Sequence, residues 1–299
     1  MLEVQLQKSA QLSIIFAAVC WGLLGVFTRP LIDAGFSVLE VAAIRNIAAG
    51  ACLILFILVT NREKLKIRIK DIWIFIFMGG FGLVLNSMCY FNTIELTTLS
   101  AASILLYTSP YMVMLISALL FKDKITLQKI SALLIAFTGC VMTVGVIGSH
   151  DISTIGILTG LGAAFCYSLY TIFGKIALKR YDPLTVTAYA FVLAGIILIP
   201  FFNVGKMAHL VQASSMGLWN LLGLAFLVTF IPFVAYIKGL EKLEPSRVVI
   251  LAFVEPLTSS VAGILIYQEM LSFIKILGMA LIFLSLVILN LKPLKKQEE

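Results

Sequence analysis

Charge is what this chain has least of. Asp, Glu, Lys and Arg make up 12% of its 299 residues, about half their share of an ordinary soluble domain. With 61% hydrophobic residues beside it, that scarcity excludes a water-soluble globule and puts the chain in a lipid bilayer. Histidine is scarcer still: His150 and His209 both fall in expected outer loops, and neither neighbours a second His or a carboxylate pair, Asp151 standing alone. A serine-hydrolase arrangement in the membrane would have no base, and a histidine metal site too few ligands. There is no GxxxxGK[ST] loop, which excludes direct nucleotide-driven pumping by this chain. The chain is therefore read as non-enzymatic and without a cofactor. Its five cysteines, Cys20, Cys52, Cys89, Cys140 and Cys166, lie within apolar runs, so no disulfide framework is expected. The first run follows Lys8 but lacks a small-residue cleavage site, and Val19 before Cys20 departs from a lipoprotein signal. It is read as a first membrane helix.

What the chain does have is apolar runs of about 20 residues, the length that crosses roughly 30 Å of hydrocarbon. They fall at 11–30, 38–60, 71–93, 99–121, 127–147, 154–177, 184–202, 214–237, 246–267 and 273–291. Lipid-exposed backbone must satisfy its own hydrogen bonds, and these runs lack the alternation of barrel strands. The expected fold is an all-α integral membrane protein of ten transmembrane helices.

The formal charge of +7 raises the question of an anionic partner, and the positions of the cations answer it. Eighteen of the 22 Lys and Arg flank the spans on one face, from Lys8 and the Arg62–Lys70 loop to Lys292, Lys295 and Lys296. Arg29, Lys206 and Lys275 flank the other, and Arg45 lies within a span. The positive-inside rule then places both termini in the cytoplasm, in the inner (cell) membrane, and accounts for the net charge without any nucleic acid.

A shift of 146 residues lays the second half of the chain on the first. Ser246 meets Ser100, Pro256 meets Pro110, Glu269 meets Asp123, and Lys275 meets Lys129. Ala163-Ala164-Phe165-Cys166-Tyr167 falls on Ala17-Ala18-Val19-Cys20-Trp21, Tyr236 on Tyr90, and Glu241 on Glu95. Two five-helix repeats are expected, residues 1–148 and 149–299. Because five is odd, the second enters the membrane from the opposite side. Inverted repeats are the architecture of alternating access; ancestry alone, in a non-catalytic membrane scaffold, is the other reading of the duplication.

Ten spans in two repeats, Arg45 early in the second span, Pro110 and Glu255-Pro256 in mid-span, and an acidic residue after each of those helices resemble the EamA family of the drug/metabolite transporter superfamily. The match covers about residues 11–291, and Phe121-Lys122-Asp123 departs from the Gly-Glu pair usual at that place. The resemblance implies a carrier, commonly an exporter of amino acids, amines, nucleobases or toxic compounds. It also implies a central cavity lined by the third, fourth, eighth and ninth helices with the first and sixth.

Polar groups within the spans are where a substrate path is sought. Trp21, Asn86, Tyr90, Tyr107, Tyr111, Tyr167, Tyr236 and Glu255 are the candidates. Asn86 with Tyr90, and Tyr107 with Tyr111, are spaced to share a helix face. Together they would make an aromatic cavity suited to flat, amphipathic or cationic small molecules; helix packing is the other reading of each ring. Pro110 and Pro256 are candidate helix breaks. Glu255 sits near mid-span, where a carboxylate binds a cation, carries a coupling proton or pairs structurally with Arg45. The partners expected are a small-molecule substrate, the lipid bilayer and protons as a candidate coupling ion, for a monomer or homodimer. A lipid or lipid-linked sugar flippase is the alternative that the same cavity would serve. A channel is disfavoured, since no charge ring or carbonyl filter is visible.

Overall fold

The computed structural model describes residues 2–144, 153–213 and 215–291. His150, Asp151, Lys292, Lys295, Lys296 and the expected repeat boundary lie outside these residues. The described residues are helical, without strands, and ten helices are long and apolar enough to cross a bilayer: α1 (Gln5–Asp33), α2 (Val38–Thr60), α3 (Ile69–Leu96), α4 (Leu99–Phe121), α5 (Leu127–Val144), α6 (Thr154–Ala177), α7 (Pro183–Phe201), α8 (Gly217–Lys242), α9 (Pro245–Tyr267) and α10 (Phe273–Asn290). His209 is exposed on a short helix, Val204–Ala213, between α7 and α8.

Polar residues between the apolar runs set the helix ends. Ser37 opens α2 with a capping box: the Glu40 amide donates to Ser37 Oγ at 3.2 Å and the Ser37 amide to Glu40 Oε2 at 2.8 Å. Thr126 and Ser272, counterparts under the 146-residue shift, cap α5 and α10 through the amides of Lys129 and Lys275, each at 3.2 Å. Helices α4 and α9 both end on a left-handed residue that is not glycine, Lys122 at φ 57° and Gln268 at φ 54°. Those two are again counterparts, so the repeat reaches down to single backbone angles.

Interruptions obey the same symmetry. Both α3 and α8 widen to π-helical turns, over Ile76–Leu85 and Gly223–Phe230. In α4 the helix stops at Leu106 and restarts at Ser109; in α9 it stops at Leu251 and restarts at Val254. The prolines lie just beyond these breaks. Pro110 and Pro256 have no N–H to continue the ladder, and the turn is taken up three residues earlier, at Tyr107-Thr108 and Ala252-Phe253.

Each repeat packs chiefly on the other. Helix α5 lies along α10 and α2 along α7, while α3 packs on α6 as α8 packs on α1. These are the self-pairs and exchanged pairs of a pseudo-two-fold axis, as two inverted repeats require. The α5–α10 contact needs glycine on both sides: a Cβ on Gly139 would lie 2.6 Å from the Gly278 carbonyl oxygen, and one on Gly278 would lie 2.7 Å from that of Gly139.

Candidate functional site

The two broken helices cross at the pseudo-axis. There Tyr107 and Phe253, counterparts under the repeat, stack on each other with ring centroids 5.8 Å apart and planes at 30°. Around them lies a small chamber of about 70 Å³, lined by Tyr107, Ser109 and Pro110 of α4, Tyr167 of α6, Tyr236 of α8, and Val249, Phe253 and Glu255 of α9. Its walls are apolar except for the tyrosine hydroxyls, Ser109 and the one carboxylate.

Glu255 is placed by two features of sequence. The break at Ala252-Phe253 leaves it in the first turn of the second half of α9. Gly22 lets α1 press on it, since a Cβ there would lie 2.7 Å from the Glu255 carbonyl oxygen. Arg45 lies within electrostatic reach of this carboxylate, near Tyr167, but makes no ion pair among the described residues. Its guanidinium sits 5.7 Å from the Phe233 ring, and its Nε has no partner. Glu255 is therefore not neutralised by direct contact, and it faces the Tyr107 and Tyr167 side chains.

The other candidates are placed differently. Trp21 stands behind the chamber, its ring 4.9 Å from Phe233 and 5.2 Å from Tyr236, with Nε1 unpartnered. Asn86 Nδ2 donates to the Ala163 carbonyl at 2.9 Å, tying α3 to α6. The hydroxyls of Tyr90 and Ser103 share a hydrogen bond of 3.0 Å between α3 and α4. Tyr107 and Tyr111 do not share a face, because the helix breaks between them; Tyr111 packs edge-on against Phe137 of α5 at 5.5 Å. Tyr236 lines the chamber but its hydroxyl is held by Thr171 at 2.7 Å. Helix α3, expected among the lining helices, contributes no side chain to the chamber.

From one face the chamber is approached by a polar vestibule of about 270 Å³ that shares Tyr107 as a wall. Ser100, Ser103, Ser259 and Ser260 line it with Arg29, Glu269 and Lys275. Glu269 accepts from Arg29 at 3.3 Å and from Lys275 at 3.2 Å. Partial burial pushes the Glu269 carboxyl up, and those two cations outweigh it, leaving the group below the usual glutamate range. Arg29 and Lys275 read as membrane flanks in the sequence and Glu269 as the acidic residue that follows its helix; the repeat was the signal that could have joined them, since Glu269 and Lys275 match Asp123 and Lys129. On the opposite face the matching Asp123 and Lys129 are buried.

Ten membrane helices in two inverted repeats, with a mainly apolar chamber holding one carboxylate where their broken helices meet, define the class of a polytopic membrane transporter. The EamA-like transporter family matches residues 8–145 and again 154–291, so the chain belongs to that family. Among its relatives, the uncharacterized transporter YwfM of Bacillus subtilis is 23% identical over 96% of this chain and 95% of its own. An uncharacterized transporter of Archaeoglobus fulgidus is 29% identical over 90% and 94%. The uncharacterized inner membrane transporter YicL of Salmonella typhimurium is 25% identical over 95% and 96%. One solved crystal structure shares the fold, with a TM-score of 0.79 at 19% identity over 95% of this chain and 96% of that one. The protein is a multi-pass integral membrane transporter.

Proposed function

We propose that this transporter is a secondary-active exporter of small organic metabolites such as amino acids, amines or drugs, working by alternating access around the chamber at Tyr107, Phe253 and Glu255. The observation that carries this reading is the position of the chamber. It lies where two symmetry-related helix breaks meet, so each repeat contributes an equivalent moving wall. Glu255, without a directly bound cation, supplies the one negative group of that chamber. Its role is to take the cationic end of a substrate or a coupling proton, while the rings of Tyr107, Tyr167 and Phe253 take the apolar part.

Both termini are assigned to the cytoplasm by the positive-inside distribution, which turns the vestibule of Glu269 outward. The test is flux in proteoliposomes with and without a pH gradient, using ligands first selected by thermal shift. Such a screen registers weak binders, because a hundredfold excess over the dissociation constant stabilises by about 2.7 kcal/mol. Glu255→Gln is expected to insert and unfold like the parent yet lose the pH dependence of flux. Retention of wild-type rate and pH dependence would end the proposal. Inhibition by lipid alone, with no competition by amines or amino acids, would replace the solute exporter with a flippase.

A further inference from the structure

The two repeats are alike in sequence, yet their equivalent acidic clusters are in different states. At the end of α4, Asp123 has a side chain only 2% exposed. It accepts from Lys129 at 2.5 Å and from Ser117 at 2.9 Å, both in its own repeat. It also accepts from the Ser246 hydroxyl and, at 3.3 Å, from the Ser246 amide at the start of α9, in the other repeat. Lys129 makes a second crossing, to Glu244 at 2.6 Å. At the end of α9 the counterpart Glu269 keeps the bond to its own Lys275, but its side chain is 36% exposed. No hydrogen bond joins it to Ser100, the counterpart of Ser246, which lines the vestibule instead.

Cations from the sixth and first helices differ in the same sense. Lys175 of α6 donates to the carbonyls of Leu240, Glu241 and Leu243, stitching the end of α8 over the buried cluster at 2.7–3.1 Å. Its counterpart Arg29 leaves the equivalent end of α3 untouched; it is held by Glu269 and lies 4.1 Å from the Tyr267 ring.

We propose that these clusters are the two gates of the carrier, with the Asp123–Ser246 latch shut and the Glu269–Ser100 latch open in this structure. On turnover, Glu269 takes the Ser100 hydroxyl and amide, and Arg29 leaves Glu269 for the carbonyls that end α3. At the same time Asp123 releases Ser246. The two latches are unequal, because Glu244 has Thr98 as its counterpart. The shut latch thus has an inter-repeat ion pair that the open one would lack, which favours the state seen here.

The proposal rests on the carrier reading and is tested apart from it. The readout is labelling of Ser260→Cys, in the vestibule, by a membrane-impermeant maleimide in the full chain with its five native cysteines changed to alanine. Ser246→Ala with Glu244→Gln removes the two side-chain crossings, keeping only the amide of residue 246 on Asp123, and leaves the Asp123–Lys129 pair intact. Labelling is expected to slow several-fold in this variant. Ser100→Ala penalises the opposite state and is expected to speed labelling, which keeps the test alive should the first variant fold poorly. A disulfide between Ser100→Cys and Glu269→Cys is expected to form more readily once the Asp123 latch is cut. If cutting either latch leaves the Ser260→Cys rate unchanged, or moves it in the opposite sense, the gates are not these. Labelling that shifts as expected in a protein without flux of any solute would keep the gates and overturn the exporter.

Discussion

Tyr107 stacks on Phe253, its own counterpart in the other repeat, with centroids 5.8 Å apart. Two equivalent residues can touch only where the pseudo-symmetry axis passes, so this pair fixes the centre of the molecule. The pair is equivalent but not identical: the hydroxyl stands on one side alone, facing the chamber that holds Glu255. The asymmetry needed to recognise a substrate is thus built into a symmetric frame.

Tyr107→Phe should separate the two uses of this residue. The stack survives, so the thermal unfolding temperature should stay near that of the parent. Loss of one hydroxyl beside Glu255 should weaken a bound metabolite by about 1 kcal/mol, or roughly fivefold in affinity. Phe253→Ala removes a ring that is 1% exposed and should cost about 3–5 kcal/mol of stability. Binding and unfolding measured on the same detergent-purified protein decide both.

Much of this was legible in the sequence, for physical reasons that differ by residue. The spans stand out because bilayer thickness fixes their length, and Glu255, Tyr107, Tyr167 and Tyr236 because polar groups are rare in them. Phe253 was not legible: in so apolar a chain one more Phe carries no signal, although it is the partner of Tyr107. The prolines announced broken helices but not that the turn falls three residues earlier, and that offset is what sends Tyr111 to Phe137 instead of the chamber. The π-helical turns of α3 and α8 left no trace, since a widened turn needs no special side chain. Asp123 reads in the sequence only as the acidic residue that follows the fourth helix; its burial depends on Ser246, 123 residues away.

Asp123 should give the protein an acid-side stability slope. Burial raises its carboxyl, but hydrogen bonds from Lys129, Ser246 and Ser117 outweigh that and hold it below the usual aspartate range. A carboxyl depressed in the fold contributes stability that is fully present above its unfolded value. That contribution is lost as pH falls through the folded value, so the slope lies on the acid side of about pH 4. Asp123→Asn should flatten the curve of unfolding temperature against pH there. Glu269→Gln should flatten it less, its partner bonds being longer and its side chain 36% exposed.

The α5–α10 seam should tolerate no added carbon. Gly139→Ala puts a Cβ 2.6 Å from the Gly278 carbonyl oxygen, and the helices must part or shift, a cost of about 1–3 kcal/mol. Gly162→Ala meets nothing closer than the Cys89 sulfur at 3.9 Å and should leave the unfolding temperature unchanged. Parallel melting of the two variants compares an added methyl at a close crossing with the same methyl in open space.

Arg45 and Glu255 pose the sharpest question, whether the mid-membrane carboxylate is there to hold the fold or to work. A structural pair would be in contact, and breaking it from either side would strand a buried charge at about 3–5 kcal/mol. In this structure Arg45 stands over Phe233 and reaches Glu255 only through space. A double-mutant cycle of Arg45→Gln and Glu255→Gln should therefore show a stability coupling below about 1 kcal/mol, near the limit of additivity. Transport should respond far more to Glu255→Gln than unfolding does, because a group kept out of an ion pair is free to exchange partners during the cycle. A coupling of several kcal/mol would make the pair a structural fixture and take Glu255 out of the transport path.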